Sequence, residues 1–353
     1  MPKRSGPSTG ILAVLAAVTG VTSARAEDVL LVTDAAADRV MAFSPVDGSV
    51  VNLNFITDPG VVNSVDIFNR PLHAIDSGRG TVLVSDQFAN LVAEFTFDNQ
   101  FVGIFANSGA VDTNVLSNVR GIGLLPGGDL LVTSGGGTIG VNARTVQRFD
   151  QTGARVDPFA FSRYGGIRGP FGILVLDDKV LVSDEGSDFI AQYTLQGKFT
   201  GLFARNLDFP QQMSRTPSGN ILVAVFSGGV IAEFDANGTQ VGQYDPGTLS
   251  GYRGIIELDN GNLLTTTGTG VHQVTRTGLV VTSPFLGSET RYIERVTLPE
   301  GLTLATLRSR ATREQLPDLG EHQERAPDPE HERGEVVEAE PDAPAGADQG
   351  GAR

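Results

Sequence analysis

The sequence predicts an all-β fold: a six-bladed β-propeller of four-stranded antiparallel blades, the first closed by N-terminal strands plus a C-terminal strand. Three observations predict it. A short apolar strand signature recurs six times, at intervals of roughly 40–50 residues. Each copy is followed by an aromatic (a valine in the last), a turn residue and a second aromatic, in that order. The first copy lacks a leading strand, and a strand-like segment stands alone after the sixth.

The recurrent strand is VLLVT at 29–33, VLVS at 82–85, LLVT at 130–133, KVLVS at 179–183, NILVA at 220–224 and NLLTT at 262–266. Such short apolar runs, bounded by turn residues, read as buried strands. An aromatic closes the next strand at Phe43, Phe95, Phe149, Tyr193 and Phe234, with Val274 in the last copy. The turn residue is Gly48, Asn99, Gly153, Gly197, Gly238 or Gly278. Gly and Asn supply the positive φ that a tight hairpin needs. Phe55, Phe105, Phe159, Phe203, Tyr244 and Phe285 then end the fourth strand. Short turns such as 126–129 and 259–262 separate the recurrent strand from a preceding apolar segment, which supplies the first strand of the unit. Four antiparallel strands per unit make a propeller blade.

The first copy starts at Asp28, directly on its second strand. The segment 291–298, RYIERVTL, aligns with RGIIEL at 253–258 and RGIGL at 120–124. It is expected to supply the missing inner strand, so that both chain ends meet in one blade and few edges stay open.

Composition sets the setting. The 353 residues include 44 Gly, no Cys and no Trp, and the hydrophobic fraction of 40 % suffices for a sizeable core. A net charge of −15 argues against nucleic acid as a partner, because phosphate binding needs clustered Lys and Arg. Lys3 and Arg4, the apolar run 11–21 and Ala24-Arg25-Ala26 read as a signal peptide over 1–26, cleaved after Ala26. The mature protein is then expected to be periplasmic or secreted, with no membrane span and as a monomer. Without disulfides its stability must come from the core and from ring closure. The propeller is expected over 27–307. From Arg308 to 353 the chain turns rich in Glu, Asp, Pro, Ala and Gly, and reads as a disordered acidic tail.

The phrases Val182-Ser183-Asp184, 189–193 (FIAQY) and Gly197-Lys198-Phe199 resemble the NHL repeat, as do their counterparts from Val84 and Val32. Pro170-Phe171-Gly172-Ile173 is similar to the start of those repeats. The resemblance covers about residues 28–298. It implies a propeller and, at a distance, the gluconolactonase- and regucalcin-like superfamily, which includes scaffolds, ligand binders, lactonases and lyases. Ser134, Val225 and Thr267 depart from the repeat where it has Asp.

One face carries the candidate site. Connections between second and third strands, and between blades, include long segments at 57–69, 107–118, 134–145 and 161–169, whereas the other turns are short. Long loops on a rigid scaffold are where binding usually sits. Near the axis on that face fall the residues that open each inner strand: Leu72, Arg120, Phe171, Gln211, Arg253 and Arg291. Arg120, Arg253 and Arg291 could bind an anion through forked hydrogen bonds. Asp34, Asp86 and Asp184 end second strands nearby and either join such a site, cap the turns that follow, or pair with the Arg. His73 and His272 lie within the propeller and read as a ligand contact or as packed residues. No cofactor is predicted. Ca²⁺ or another divalent cation is implied only by the lactonase-like resemblance, with Asp86, Asp184, Asn118 and Glu294 as loose candidates. The expectation is an exported, non-catalytic propeller binding a protein, peptide or glycan through its long-loop face. The alternative is a metal-dependent lactone hydrolase or lyase.

Overall fold

The computed structural model describes residues 26–107, 112, 115–136, 144–161 and 165–314. The expected signal peptide lies, but for Ala26, outside the described residues, as does the tail beyond 314. Strands follow one another in blade-sized groups. β1 (Asp28–Asp34), β2 (Arg39–Phe43) and β3 (Val50–Thr57) begin blade 1, and β4 (Val61–Val62) and β5 (Val65–Asp66) form a small hairpin in the connection that follows. Blade 2 is β6 (Pro71–Asp76), β7 (Thr81–Asp86), β8 (Leu91–Thr96) and β9 (Phe101–Ala106). Blade 3 is β10 (Val119–Leu124), β11 (Leu130–Ser134) and β12 (Thr145–Phe149). Blade 4 is β13 (Pro170–Val175), β14 (Lys179–Asp184), β15 (Phe189–Thr194) and β16 (Phe199–Arg205). Blade 5 is β17 (Pro210–Arg215), β18 (Ile221–Val225), β19 (Val230–Phe234) and β20 (Gln240–Tyr244). Blade 6 is β21 (Ile255–Glu257), β22 (Leu263–Thr267), β23 (Gly270–Val274) and β24 (Val280–Leu286). The last strand, β25 (Thr290–Thr297), pairs antiparallel with β1 and completes blade 1 in the order β25-β1-β2-β3. Ring closure thus occurs where the unpaired first copy predicts it. Blade 3 has only three regular strands. Its outer position is taken by an irregular segment attached through the bridges Val146↔Ala160 and Phe149↔Arg155.

The recurrent strand is apolar throughout because each blade has two buried faces. In β1, Val29 and Leu31 pack toward blade 2, while Leu30 and Val32 pack toward blade 6. Four further interfaces repeat this pattern, so the core is divided into layers between blades.

The Ser or Thr that ends the signature locks one blade to the next. Its hydroxyl donates to a backbone carbonyl of the neighbouring inner strand: Thr33 to Leu72, Ser85 to Arg120 and Ser183 to Gln211 at 2.7 Å, Thr133 to Phe171 at 2.9 Å, and Thr266 to Arg291. Blade 5 has Ala224 there, and its junction instead uses the Gln212 amide, which donates to the Arg253 carbonyl at 3.2 Å.

The six turn residues Gly48, Asn99, Gly153, Gly197, Gly238 and Gly278 all have positive φ, between 62° and 84°. Three glycines have a second reason to be glycine. A Cβ on Gly153 or Gly238 would stand 2.0 Å from the carbonyl oxygen of Phe105 or Phe203, and one on Gly197 would stand 2.4 Å from that of Phe159. The turn of each of these blades rests on the aromatic that ends the blade before it.

After β25 a helix, α1 (Leu304–Glu314), begins at Thr303, whose hydroxyl accepts the Thr306 amide as an N-cap does. Leu307 packs into the layer between blades 1 and 2. The Glu27 carboxylate accepts the Leu304 amide at 2.8 Å. The helix runs past Arg308, where composition predicts the tail to begin, from a cap and an apolar anchor, Thr303 and Leu307, that lie just before it.

Candidate functional site

Five of the six inner strands carry an extra residue or two where they reach the axis. Register shifts fall between Pro71 and His73, Val119 and Ile122, Pro170 and Ile173, and Pro210 and Met213. In β25 the shift opposite Val32 and Asp34 frees Arg291 and Tyr292. Such bulges re-aim side chains. They turn Leu72, Arg120, Phe171, Gln211 and Arg291 from the blade layers toward the axis, and Arg253 takes the matching place just before β21.

The next residue around the ring is His73, Gly121, Gly172, Gln212, Gly254 or Tyr292. Three large side chains and three glycines share the axis. A Cβ on Gly172 or Gly254 would lie 2.5 Å from the carbonyl oxygen of Gln211 or Arg291, and on Gly121 2.6 Å from that of Phe171. The large side chains fill the space the glycines leave. The Gln212 Oε1 accepts the amides of Ile255 and Ile293, both at 3.0 Å, joining three blades. The His73 Nδ1 accepts the Ile122 amide at 3.3 Å, so its proton resides on Nε2, which donates to Glu294 at 3.2 Å. Tyr292 lies edge-on to His73, with ring centroids 5.1 Å apart, and is buried. Burial pushes its hydroxyl well above the ordinary phenol range. The axis is filled by these residues, with Leu72 and Phe171.

Above this fill, on the long-loop face, the Arg residues meet carboxylates that sequence reasoning did not name. Glu289 Oε1 contacts Arg70 at 2.5 Å and Arg253 at 2.6 Å, and also contacts Arg291. Burial raises the Glu289 pKa, but Arg291, Arg253 and Arg70 outweigh it and bring the carboxyl down from 4.5 to about 2. Arg120 pairs with Glu185 and lies over the Phe171 ring at 4.3 Å. The structure therefore brings Arg253 and Arg291 together and places Arg120 on a separate pair. Three guanidiniums thus converge on one carboxylate.

Aromatic rings border this mouth. Arg70 lies over Phe88 at 5.2 Å and Arg253 over Phe226 at 5.3 Å. Phe171, Phe209 and Phe226 continue ring to ring at 5.4 and 5.0 Å. Phe88 is 45 % exposed, whereas Arg253 and Arg291 are buried. Arg70 and Phe209 each precede a proline and hold φ of 101° and 60°. For bulky residues this is strained backbone, which gathers at functional sites.

The three Asp residues serve the turns. Asp34 accepts the amides of Ala36 and Ala37 at 3.3 Å and pairs with Arg39 at 3.0 Å. Asp86 accepts the amides of Asn69, Phe88 and Ala89 at 2.8, 3.1 and 2.8 Å. Burial pushes its carboxyl up to about 7 against those donors. Asp184 accepts the amides of Arg168 and Gly169 at 2.8 and 3.0 Å, and burial likewise raises its pKa. His272 bonds Ser283 at 2.8 Å and Thr267 at 3.1 Å, a packed residue whose pKa burial lowers.

The candidate cation ligands do not fit a divalent ion. Among the described residues, no group of three or more His, Cys, Asp or Glu comes together as one would require. Asp86 turns its oxygens to amides, Asn118 accepts from Gln87 at 2.7 Å, and Glu294 lies farther along the axis on His73.

No protein-family model and no curated protein matches the sequence. Solved structures match in fold. The chain is similar to one in a nidogen/laminin complex, at 12 % identity over 76 % of this chain and 98 % of that one, with a TM-score of 0.60. It is similar to a protein of unknown function from Bacteroides caccae, at 14 % identity over 76 % and 99 % of the two chains, TM-score 0.54. A streptogramin B lyase matches at 15 % identity over 73 % and 80 %, TM-score 0.51. At these identities the likeness is one of fold, and that fold is the propeller which the NHL-like repeats imply.

Proposed function

We propose that this protein is an exported, non-catalytic propeller, monomeric, that binds a protein, peptide or glycan partner bearing carboxylates or other anionic groups on its long-loop face. The observation that carries the reading is the convergence of Arg70, Arg253 and Arg291 on the single carboxylate of Glu289. A partner's anion would share the guanidiniums, entering at the partly exposed Arg70, while its apolar parts lie on Phe88. The filled axis beneath offers a docking floor. Asp86 and Asp184, two of the carboxylates that a metal-assisted hydrolase would draw on, accept turn amides instead.

The test is binding of labelled acidic peptides and uronic-acid glycans, with neutral counterparts as controls. Anionic probes should bind selectively, weaken as salt is raised, and lose about tenfold in affinity on Arg70→Gln, in line with a charge-assisted hydrogen bond. Equal binding of neutral probes, or no effect of Arg70→Gln, would overturn the reading.

A further inference from the structure

The opposite, short-turn face holds a cavity of about 390 Å³ at the axial mouth. It opens between the inner strands of blades 4, 5, 6 and 1. Met213, Ile256 and Ile293 give it an apolar floor, all of them buried. Its size is at the small end of ligand pockets, which run from about 300 to 1,000 Å³.

Two polar groups in its wall are unspent. Ser214 is nine-tenths buried, and its hydroxyl has no hydrogen-bond partner among the described residues. A buried hydroxyl left without any partner is costly unless a ligand or water meets it. Glu294 is the second. Its side chain is 40 % exposed, and only Oε2 is engaged, by His73. The His73 Nδ1 accepts the Ile122 amide, so the ring turns an N–H toward the carboxylate and orients it.

The other charges at this mouth already have partners. Arg215 pairs with Asp177 at 3.0 Å, Arg295 with Asp259 at 2.9 Å, and Glu257 with Arg276 at 3.0 Å. Among the described residues that line the cavity, Glu294 is thus the one charged side chain with no Arg or Lys partner, and it stands over an apolar floor.

We propose that this cavity is a second binding site, for a small amphipathic primary amine. The ammonium would donate to Glu294 Oε1 and to the Ser214 hydroxyl oxygen, and the apolar body would cover Met213, Ile256 and Ile293. The site is independent of the long-loop face and uses none of its residues.

Calorimetric titration of the purified protein with hexylamine tests it, with hexan-1-ol and hexanoate as matched probes. Hexylamine should bind saturably, and hexan-1-ol at least tenfold more weakly. Glu294→Gln should lower hexylamine affinity at least tenfold, and Ser214→Ala severalfold, both without loss of the folded circular dichroism signal. Should Glu294→Gln fail to fold, amide chemical-shift changes in the unaltered protein decide the matter, and they should centre on Ser214, Ile256 and Glu294. No saturable binding, equal affinity for the alcohol, unchanged affinity in Glu294→Gln, or shift changes centred elsewhere would overturn the proposal.

Discussion

Glu289 is a single side chain on which stability and binding pull in opposite directions. It neutralises part of the charge of Arg70, Arg253 and Arg291, two of which are buried. Removing one partner of such a cluster leaves uncompensated charge, at a cost of about 3–5 kcal/mol when fully buried and less here, where the carboxylate is 25 % exposed. Glu289→Gln should therefore lower the melting temperature while raising affinity for anionic probes, since the guanidiniums lose their internal competitor. A loss of both would refute that division of roles. The pH dependence has a definite sign. The folded-state pKa lies near 2 against an ordinary 4.5, so the ionised form favours the folded protein. This contribution is complete above 4.5 and disappears as pH falls toward 2. Acid titration of stability should show a shallower limb in Glu289→Gln across that window.

At five of the six junctions the second strand joins its blade to the next through its terminal hydroxyl. Ser183 both donates to the Gln211 carbonyl and accepts the Gly172 amide, each at 2.7 Å. Ser183→Ala should cost about 1–3 kcal/mol, because it strands a buried acceptor and a buried donor. Chemical denaturation would measure this. An effect near zero would mean that the remaining contacts hold the junction without this hydroxyl, as they do beside Ala224. The turn glycines make a parallel case. Gly238→Ala should be more disruptive than Gly219→Ala, although both have positive φ, because only Gly238 faces a backbone carbonyl, that of Phe203.

At the scale of the whole molecule, closure replaces covalent staples. Thr297 donates to Asp28 at 2.8 Å, the Leu298 amide donates to the Glu27 carbonyl at 2.8 Å, and β25 pairs along β1. Without β25, blade 1 loses its inner strand, and the axis loses Arg291 and Tyr292. Truncation before Thr290 should abolish cooperative unfolding, as followed by circular dichroism on heating. A chain relinked from Leu298 to Glu27 and opened between blades 3 and 4 should still fold. Retained cooperativity in the truncated chain would show that the ring does not need its closing strand.

Periodicity made the architecture legible. Six copies of an apolar run, five of them ending in Ser or Thr, each followed by a turn residue and a closing aromatic, admit few arrangements other than blades in a ring, and the strandless first copy pointed to 291–298 as its complement. These are local patterns, and strand geometry translates them directly into contacts. The ring of rim residues was legible too, since each opens an inner strand. Their partners were not. Glu289 and Glu185 lie in connections that carry no repeat, and Arg70 owes its aim to a strained φ before Pro71. Gln212 and His73 sit one position past the rim, where only the bulge reveals that they bridge blades. The Ser214–Glu294 cavity draws its two polar groups from strands far apart in the chain. Which charges cancel, and which stay available to a ligand, depends on distances of a few ångströms between blades, and those exist only once the ring has closed.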